Sequence, residues 1–339
     1  MQSFDFDAVV VGAGAVGLAC AYALSHQGLT VAVLEADGAI GRGVSSRNSE
    51  VVHGGLYYRT GSFKAQLCVQ GRRSLYAFLH AHKVRYERCG KLVVATTPDE
   101  IARVEALFVQ AQTNGVEGIR RLSGEELRAL EPGLNADMAL LSPESGIFDS
   151  HGYMLALQGE IESAHGVVVV STPFEAATPL DSGGFRIRAG GAQPTVLAAR
   201  FLVIAAGLSA QMLAARIEGY PTEMIPLLHY GKGVYFRLQG RAPFHHLVYP
   251  PPVTGALGIH YRRDLGGQGV FGPDLNYVDR LDYSVDPAAV AGFYASIRRY
   301  WPGLPDASIV TARNVPHPST LPTHTDLDPA NYRSEDEAA

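Results

Sequence analysis

Apolar positions in "DAVVVGAGAVGLACAYALSHQGLTVAVLEAD" come first as a β-branched run at Ala8–Val11, then at helical spacing to about His26, then close together again at Thr30–Leu34. The pattern predicts strand, helix, strand. Phe63 to His82 keeps the spacing of one long helix, with Arg72 and Arg73 assigned to its wetter side. "GKLVVATT", Gly90–Thr97, predicts a strand, and Pro98 to Gln112 an amphipathic helix with Asp99 and Glu100 in its first turn, where the helix dipole favours acids. "SGEELRALEP" carries a capping box of Ser123 and Glu126 and stops at Pro132. Asp149 or Ser150 is placed to cap a helix running to about His165. "GVVVVSTPF" and "RFLVIAAGLSA", Arg200–Ala210, predict two buried strands. The second ends on Ala205, Ala206 and Gly207, small residues that allow a chain or cofactor to approach, although a plain glycine turn fits equally well. From Tyr220 to Leu304 the pattern becomes short alternating segments, "GKGVYFRL" and "TGALGIHYRRD", with a helix near Pro287 to Tyr300. After Pro302 the periodicity is lost, and the proline-rich, polar residues 306–339 predict a disordered tail.

The chain has 339 residues, 47% hydrophobic and 18% charged, enough to bury one large core or two intertwined ones. Its net charge of −5, with both signs interspersed, offers no basic face to neutralise a nucleic-acid backbone. Cys20, Cys68 and Cys89 lack C-x-x-C spacing, so they read as apolar fillers in a reducing compartment, and no metal site is predicted. No apolar stretch reaches the roughly 18 residues a membrane span needs. A cytoplasmic protein is expected, and peripheral contact with the inner membrane is compatible with that.

The strand–helix–strand unit holds glycines at 12, 14 and 17 between its first strand and its helix, with an acid, Glu35, closing its second strand. This is the full context of a dinucleotide fingerprint. Gly12 serves the tight turn, Gly14 the approach of a pyrophosphate and Gly17 the close packing of helix on strand. The amides of Ala15 and Val16 open the helix toward a phosphate, and Glu35 with Ala36 meets the ribose. Only one fingerprint occurs, and the polar loop "GRGVSSRNSEVVHGG" begins just after it, which favours FAD over NAD.

These stretches resemble the L-2-hydroxyglutarate dehydrogenase/oxidase family, among the flavin-dependent oxidoreductases that include glycine oxidase and glycerol-3-phosphate dehydrogenase. The similarity rests on "VVVGAGAVGLACAYAL", "SSRNSEVVHGGLYYRTGSFKAQLCVQG", "ERCGKLVVA", "ESGIFDSHGYM", "FLVIAAGLSA", "IPLLHYGKGVYF" and "GIHYRRDLGGQGVFGPD", over roughly Asp7 to Asp306. It implies an α/β fold: a discontinuous Rossmann-type FAD-binding domain (1–88 and 143–219) and a mainly antiparallel α+β substrate domain (89–142 and 220–305). It also implies oxidation of a 2-hydroxy acid, L-2-hydroxyglutarate to 2-oxoglutarate, by hydride transfer to flavin N5, with oxygen or a quinone as electron acceptor. The loop from Ser45 to Ser62 would then wall the flavin from the substrate. Two features depart from the family: Arg47 stands where relatives carry His, and the family's closing C-terminal segment has no counterpart after Asp306, which predicts weak FAD binding and little activity. Amine or amino-acid oxidation on the same fold is the alternative.

His53, in the flavin-facing loop, is the first choice of base, and His260 on a strand of the second domain competes with it. Tyr57, Tyr58, Lys91 and Tyr261 are candidate substrate contacts, with Lys64, Lys232 and Arg262 as further cations for a carboxylate. Ser45, Ser46 and Asn48 are expected to bond the pyrophosphate or ribityl chain, and Phe174 to meet the adenine through its backbone.

Overall fold

Residues 3–252, 258–274 and 276–311 are described in the structure, a computed structural model. Two compact units divide the chain, the first comprising Met1–Ser46 and Ser150–Leu228, the second Arg47–Asp149 and His229–Ala339. Residues 47–88 therefore pack with the second unit.

The first unit is built on a six-stranded sheet in the order Phe174–Pro179, Phe185–Ala189, Thr195–Ile204, Phe6–Val11, Val31–Leu34, Val167–Val169. The last four strands run parallel and the first three antiparallel. Ala8 to Val11 are buried, as continuous β-branched runs in parallel sheets are. The helices Ala15–Ser25 and Ser150–Ser163 pack on each other. Two expectations are corrected. Val167–Val169 is not a buried strand: among the described residues it ends the sheet with a neighbour on one side only, and Val167 and Val169 are exposed. The "RFLVI" strand begins earlier, at Thr195, and of its ten residues only Leu197 and Ala199 are buried.

The second unit holds an eight-stranded sheet in the order Ile309–Thr311, Phe236–Leu238, Gly269–Phe271, Tyr261–Arg263, Leu247–Tyr249, Lys91–Ala95, Met138–Ser142, Arg120–Ser123. Its pairs are antiparallel except Leu247–Tyr249 with Lys91–Ala95. One face forms a core of Leu92, Val94, Phe236, Val248, Tyr261 and Phe271 with Phe293, Ile297 and Tyr300 of the helix Val290–Tyr300. On the other face Val93 and Ala95 pack with Val104, Leu107 and Phe108 of the helix Pro98–Thr113. Strand alternation leaves Lys91, Tyr249, His260 and Arg262 on the side away from the first core. "GKGVYFRL" resolves into two strands, Tyr230–Lys232 and Phe236–Leu238. Most of "TGALG" lies outside the described residues.

Arg72 corrects its assignment to a wet face. Along the helix Phe63–Ala81 it shares the buried stripe of Ala65, Val69, Tyr76 and Leu79. Its side chain, 3% exposed, pairs with Glu144 at 2.8 Å and with Glu117, while Arg73, 57% exposed, pairs with Glu117 from outside. The chain also stays ordered past Asp306: the β-branched Ile309–Thr311 pairs with Phe236–Leu238. The rest of the expected tail, 312–339, lies outside the described residues.

Candidate functional site

In the first unit the glycine turn is shaped by what a side chain would strike. Gly12 has φ +106°, and a Cβ there would stand 2.6 Å from the Ala205 carbonyl oxygen. A Cβ on Gly17 would stand 1.9 Å from the Gly12 oxygen, so only glycine lets the helix rest on the turn. Gly14 caps that helix without a side-chain bond, and its missing Cβ leaves a gap bordered by Ser45 Oγ at 2.9 Å. The Ala15 amide donates to Ser45 Oγ (2.9 Å), and Val16 beside it is exposed. A backbone cradle at a helix N-terminus that a single Cβ would fill fits the pyrophosphate of FAD.

Glu35 accepts from the Ala13 amide through Oε2 (2.7 Å) and from the Asp37 amide through Oε1 (2.9 Å), with exposed Ala36 between. It thus ties the glycine turn to the end of the Val31–Leu34 strand. Ser46 donates to the Gly43 carbonyl (2.9 Å) as a turn residue, and Asn48, which belongs to the second unit, accepts from the Glu50 amide (2.6 Å). Phe174 is a buried core residue opening its strand. Ala206 leads into a short turn at Gly207, whose φ is +54° and whose Cβ position is open.

In the second unit a cluster of polar side chains lies under the sheet face that carries Lys91. Lys91 is fully buried, with Nζ 3.4 Å from His53 Nδ1, 4.2 Å from the centroid of the Tyr249 ring and 5.4 Å from that of Tyr57. His260 stacks on Tyr249, ring centroids 3.6 Å apart at 12°. Desolvation brings Lys91 down from 10.5 to about 7. Desolvation, then the charge of Lys91, hold His53 well below the usual imidazole range, so it is neutral at physiological pH. Burial likewise keeps the Tyr57 and Tyr249 phenols protonated, and the Tyr57 hydroxyl has no hydrogen-bond partner among the described residues.

His53, Tyr57, Lys91 and His260 are thus brought together. Tyr58 stands at the margin, its ring 5.3 Å from Lys64 Nζ and its carbonyl held by Gln110 and Asn114. Tyr261 is corrected: alternation turns it into the opposite core, where its hydroxyl donates to the Phe244 carbonyl (3.0 Å). Lys232 pairs with Asp282. Sequence reasoning missed Tyr249, because a tyrosine in an apolar strand reads as core. The alternation in "HLVYPP", with Leu247 and Tyr249 on one face, was the available signal.

Among the described residues no helix is long and apolar enough to cross a membrane. The chain is 39% identical to a mitochondrial L-2-hydroxyglutarate dehydrogenase of Arabidopsis thaliana over 89% of its own length and 71% of the relative's. It is 32% identical to an L-2-hydroxyglutarate dehydrogenase of Escherichia coli K12, over 79% of its length and 64% of the relative's, so it spans less than two thirds of that protein. Its fold matches the FAD-bound L-alpha-glycerophosphate oxidase of Mycoplasma pneumoniae with a TM-score of 0.78 at 21% identity, over 91% of this chain and 82% of the other. The family described as FAD dependent oxidoreductase matches residues 7–329, past the Asp306 at which the resemblance was expected to end. With a glycine cradle of the required shape inside that match, the chain belongs to the FAD dependent oxidoreductase family, among the L-2-hydroxyglutarate dehydrogenases, and its cofactor is FAD.

Proposed function

We propose that this chain oxidises a 2-hydroxy acid to the 2-oxo acid, with L-2-hydroxyglutarate as substrate and 2-oxoglutarate as product. The observation that carries the reading is the contact of His53 Nδ1 with Lys91 Nζ at 3.4 Å in a desolvated setting. The names of the Arabidopsis and E. coli relatives support the choice of substrate. When bound, FAD accepts the hydride that leaves C2.

The substrate hydroxyl proton needs an acceptor at the same moment. Neutral His53 supplies one at Nε2, provided Nδ1 carries the ring proton and donates it to an uncharged Lys91 amine. A proton resting on His53 is disfavoured by burial, so as Nε2 gains a proton Nδ1 passes its own to Lys91. Lys91, near 7, is matched to hold it. Lys91 is therefore the partner of the base rather than a carboxylate contact. His260, stacked on Tyr249, orients that wall of the cluster and is the competing base.

The electron acceptor downstream of the flavin, oxygen or a quinone, and a cytoplasmic setting belong to the same proposal. Three free cysteines support the reducing compartment. Anaerobic mixing of the FAD-loaded protein with L-2-hydroxyglutarate is expected to bleach the oxidised-flavin band and release 2-oxoglutarate. Bleaching by glycine or proline, with none by the hydroxy acid, would reassign the chain to amine oxidation.

A further inference from the structure

Arg262 is a cation with no counterion among the described residues. Its residue is 7% exposed, and neither Nε nor Nη1 has a hydrogen-bond partner among the described residues. Arg263, next along the strand, is engaged by Glu87 and by the His245 carbonyl (3.0 Å). Arg262 takes part in no ion pair among the described residues. Register explains the difference: Tyr261 pairs with Val248 inside the apolar core, so Arg262 points to the opposite face, the one that carries Tyr249 and Lys91.

Arg262 acts electrostatically on two phenols, Tyr249 and Tyr235. Tyr235 is hydrogen-bonded to Ser49, and both phenols stay neutral through burial. Asp274, a carboxylate that acts on Tyr235, is engaged elsewhere, accepting from the Val234 amide (2.6 Å) and from Asn276 Nδ2 (3.1 Å). A buried guanidinium with two donors orphaned among the described residues is costly unless an anion completes it.

We infer that Arg262 is the anion anchor of the site and holds the distal carboxylate of a 2-hydroxy dicarboxylic acid whose C2 end is worked on by His53 and Lys91. The inference rests on the 2-hydroxy-acid reading and extends it to specificity. Arginine donors match a carboxylate in both charge and shape, and a monocarboxylic acid of equal length would leave them unmet.

The test separates binding from turnover. Calorimetric titration of the FAD-loaded protein with glutarate and with pentanoate is expected to show at least a ~30-fold preference for glutarate, the range for a desolvated charge pair. Arg262→Met should lower glutarate affinity at least ~30-fold while leaving pentanoate within about twofold, and Arg262→Lys should recover part of the loss. Because the substitution removes an unpaired buried charge, Arg262→Met should melt no lower than wild type. Equal binding of the two acids by wild type, or unchanged glutarate binding by Arg262→Met, overturns the anchor. So does a variant that melts early and loses both acids alike. If the Arg262-dependent preference is present but L-2-hydroxyglutarate does not reduce the flavin, the anchor stands and the oxidation reading falls.

Discussion

Lys91 shows how one residue can hold two opposed demands. Burial disfavours its charge, yet it sits where a departing proton needs a resting place. A protonated Lys91 would donate to His53 Nδ1 and force the ring proton to Nε2, where the substrate hydroxyl must be accepted. The competent form is thus the deprotonated one, and the rate of flavin reduction at low substrate is expected to rise with pH through about 7. Lys91→Met should flatten that rise and slow reduction about 10²–10³-fold. A variant that keeps the wild-type profile would remove Lys91 from the proton path. Stability carries an independent signature. The folded value of about 7 lies below the unfolded 10.5, so between those values the unfolded chain binds more protons and stability climbs with pH. Denaturant midpoints of wild type should therefore gain on those of Lys91→Met from pH 7 to 10, and parallel curves would contradict the lowered pKa of the buried amine.

At the scale of elements, the glycine turn and its helix make the sharpest prediction. Gly17→Ala places a Cβ 1.9 Å from the Gly12 backbone oxygen, which cannot yield without lifting the helix off the turn. Gly14→Ala meets the Ser45 hydroxyl at 2.9 Å, which can rotate. Gly17→Ala should lower the melting temperature and abolish FAD retention, whereas Gly14→Ala should leave the melting temperature of the FAD-free protein near wild type and weaken FAD at least about tenfold, by crowding the phosphate approach. Equal melting temperatures for the two variants would refute this reading of the turn. These elements were legible because glycines, caps and β-branched runs act locally: the capping box of Ser123 and Glu126 stands as read, with both bonds made. The errors have physical causes. Arg72 kept the helical period of Ala65, Val69, Tyr76 and Leu79, but its charge was allowed to outweigh its position, and Glu117 and Glu144, distant in sequence, decide that it can be buried. Apolar composition cannot say whether Val167–Val169 sits at a sheet edge or centre. In the cluster His53 and Lys91 were legible as chemistry-bearing types, but their contact was not, because the strand of one and the loop of the other are joined only by the fold.

On the scale of the whole molecule, the second unit is assembled from two separated stretches of chain, 47–149 and 229–339. The strand Lys91–Ala95 takes its neighbour Met138–Ser142 from its own stretch and its neighbour Leu247–Tyr249 from the other. Leu92 and Val94 are buried against Val248, Phe236, Phe293 and Ile297, all supplied by the later stretch. A fragment of residues 47–149 would expose that apolar face and lack the non-local pairs that complete the sheet, so its local helices would not offset the conformational entropy of ordering it. The fragment alone is expected to show a broad, non-cooperative melt by circular dichroism and little amide protection at Leu92, Val93 and Val94. Supplying 229–339 through a flexible linker is expected to restore a cooperative transition and that protection, since every strand of the eight-stranded sheet is then present. A sharp transition with protected Leu92–Val94 amides in the 47–149 fragment by itself would show that the first stretch is an autonomous domain, and that Tyr249, His260 and Arg262 are added to a site framework already formed around His53 and Lys91.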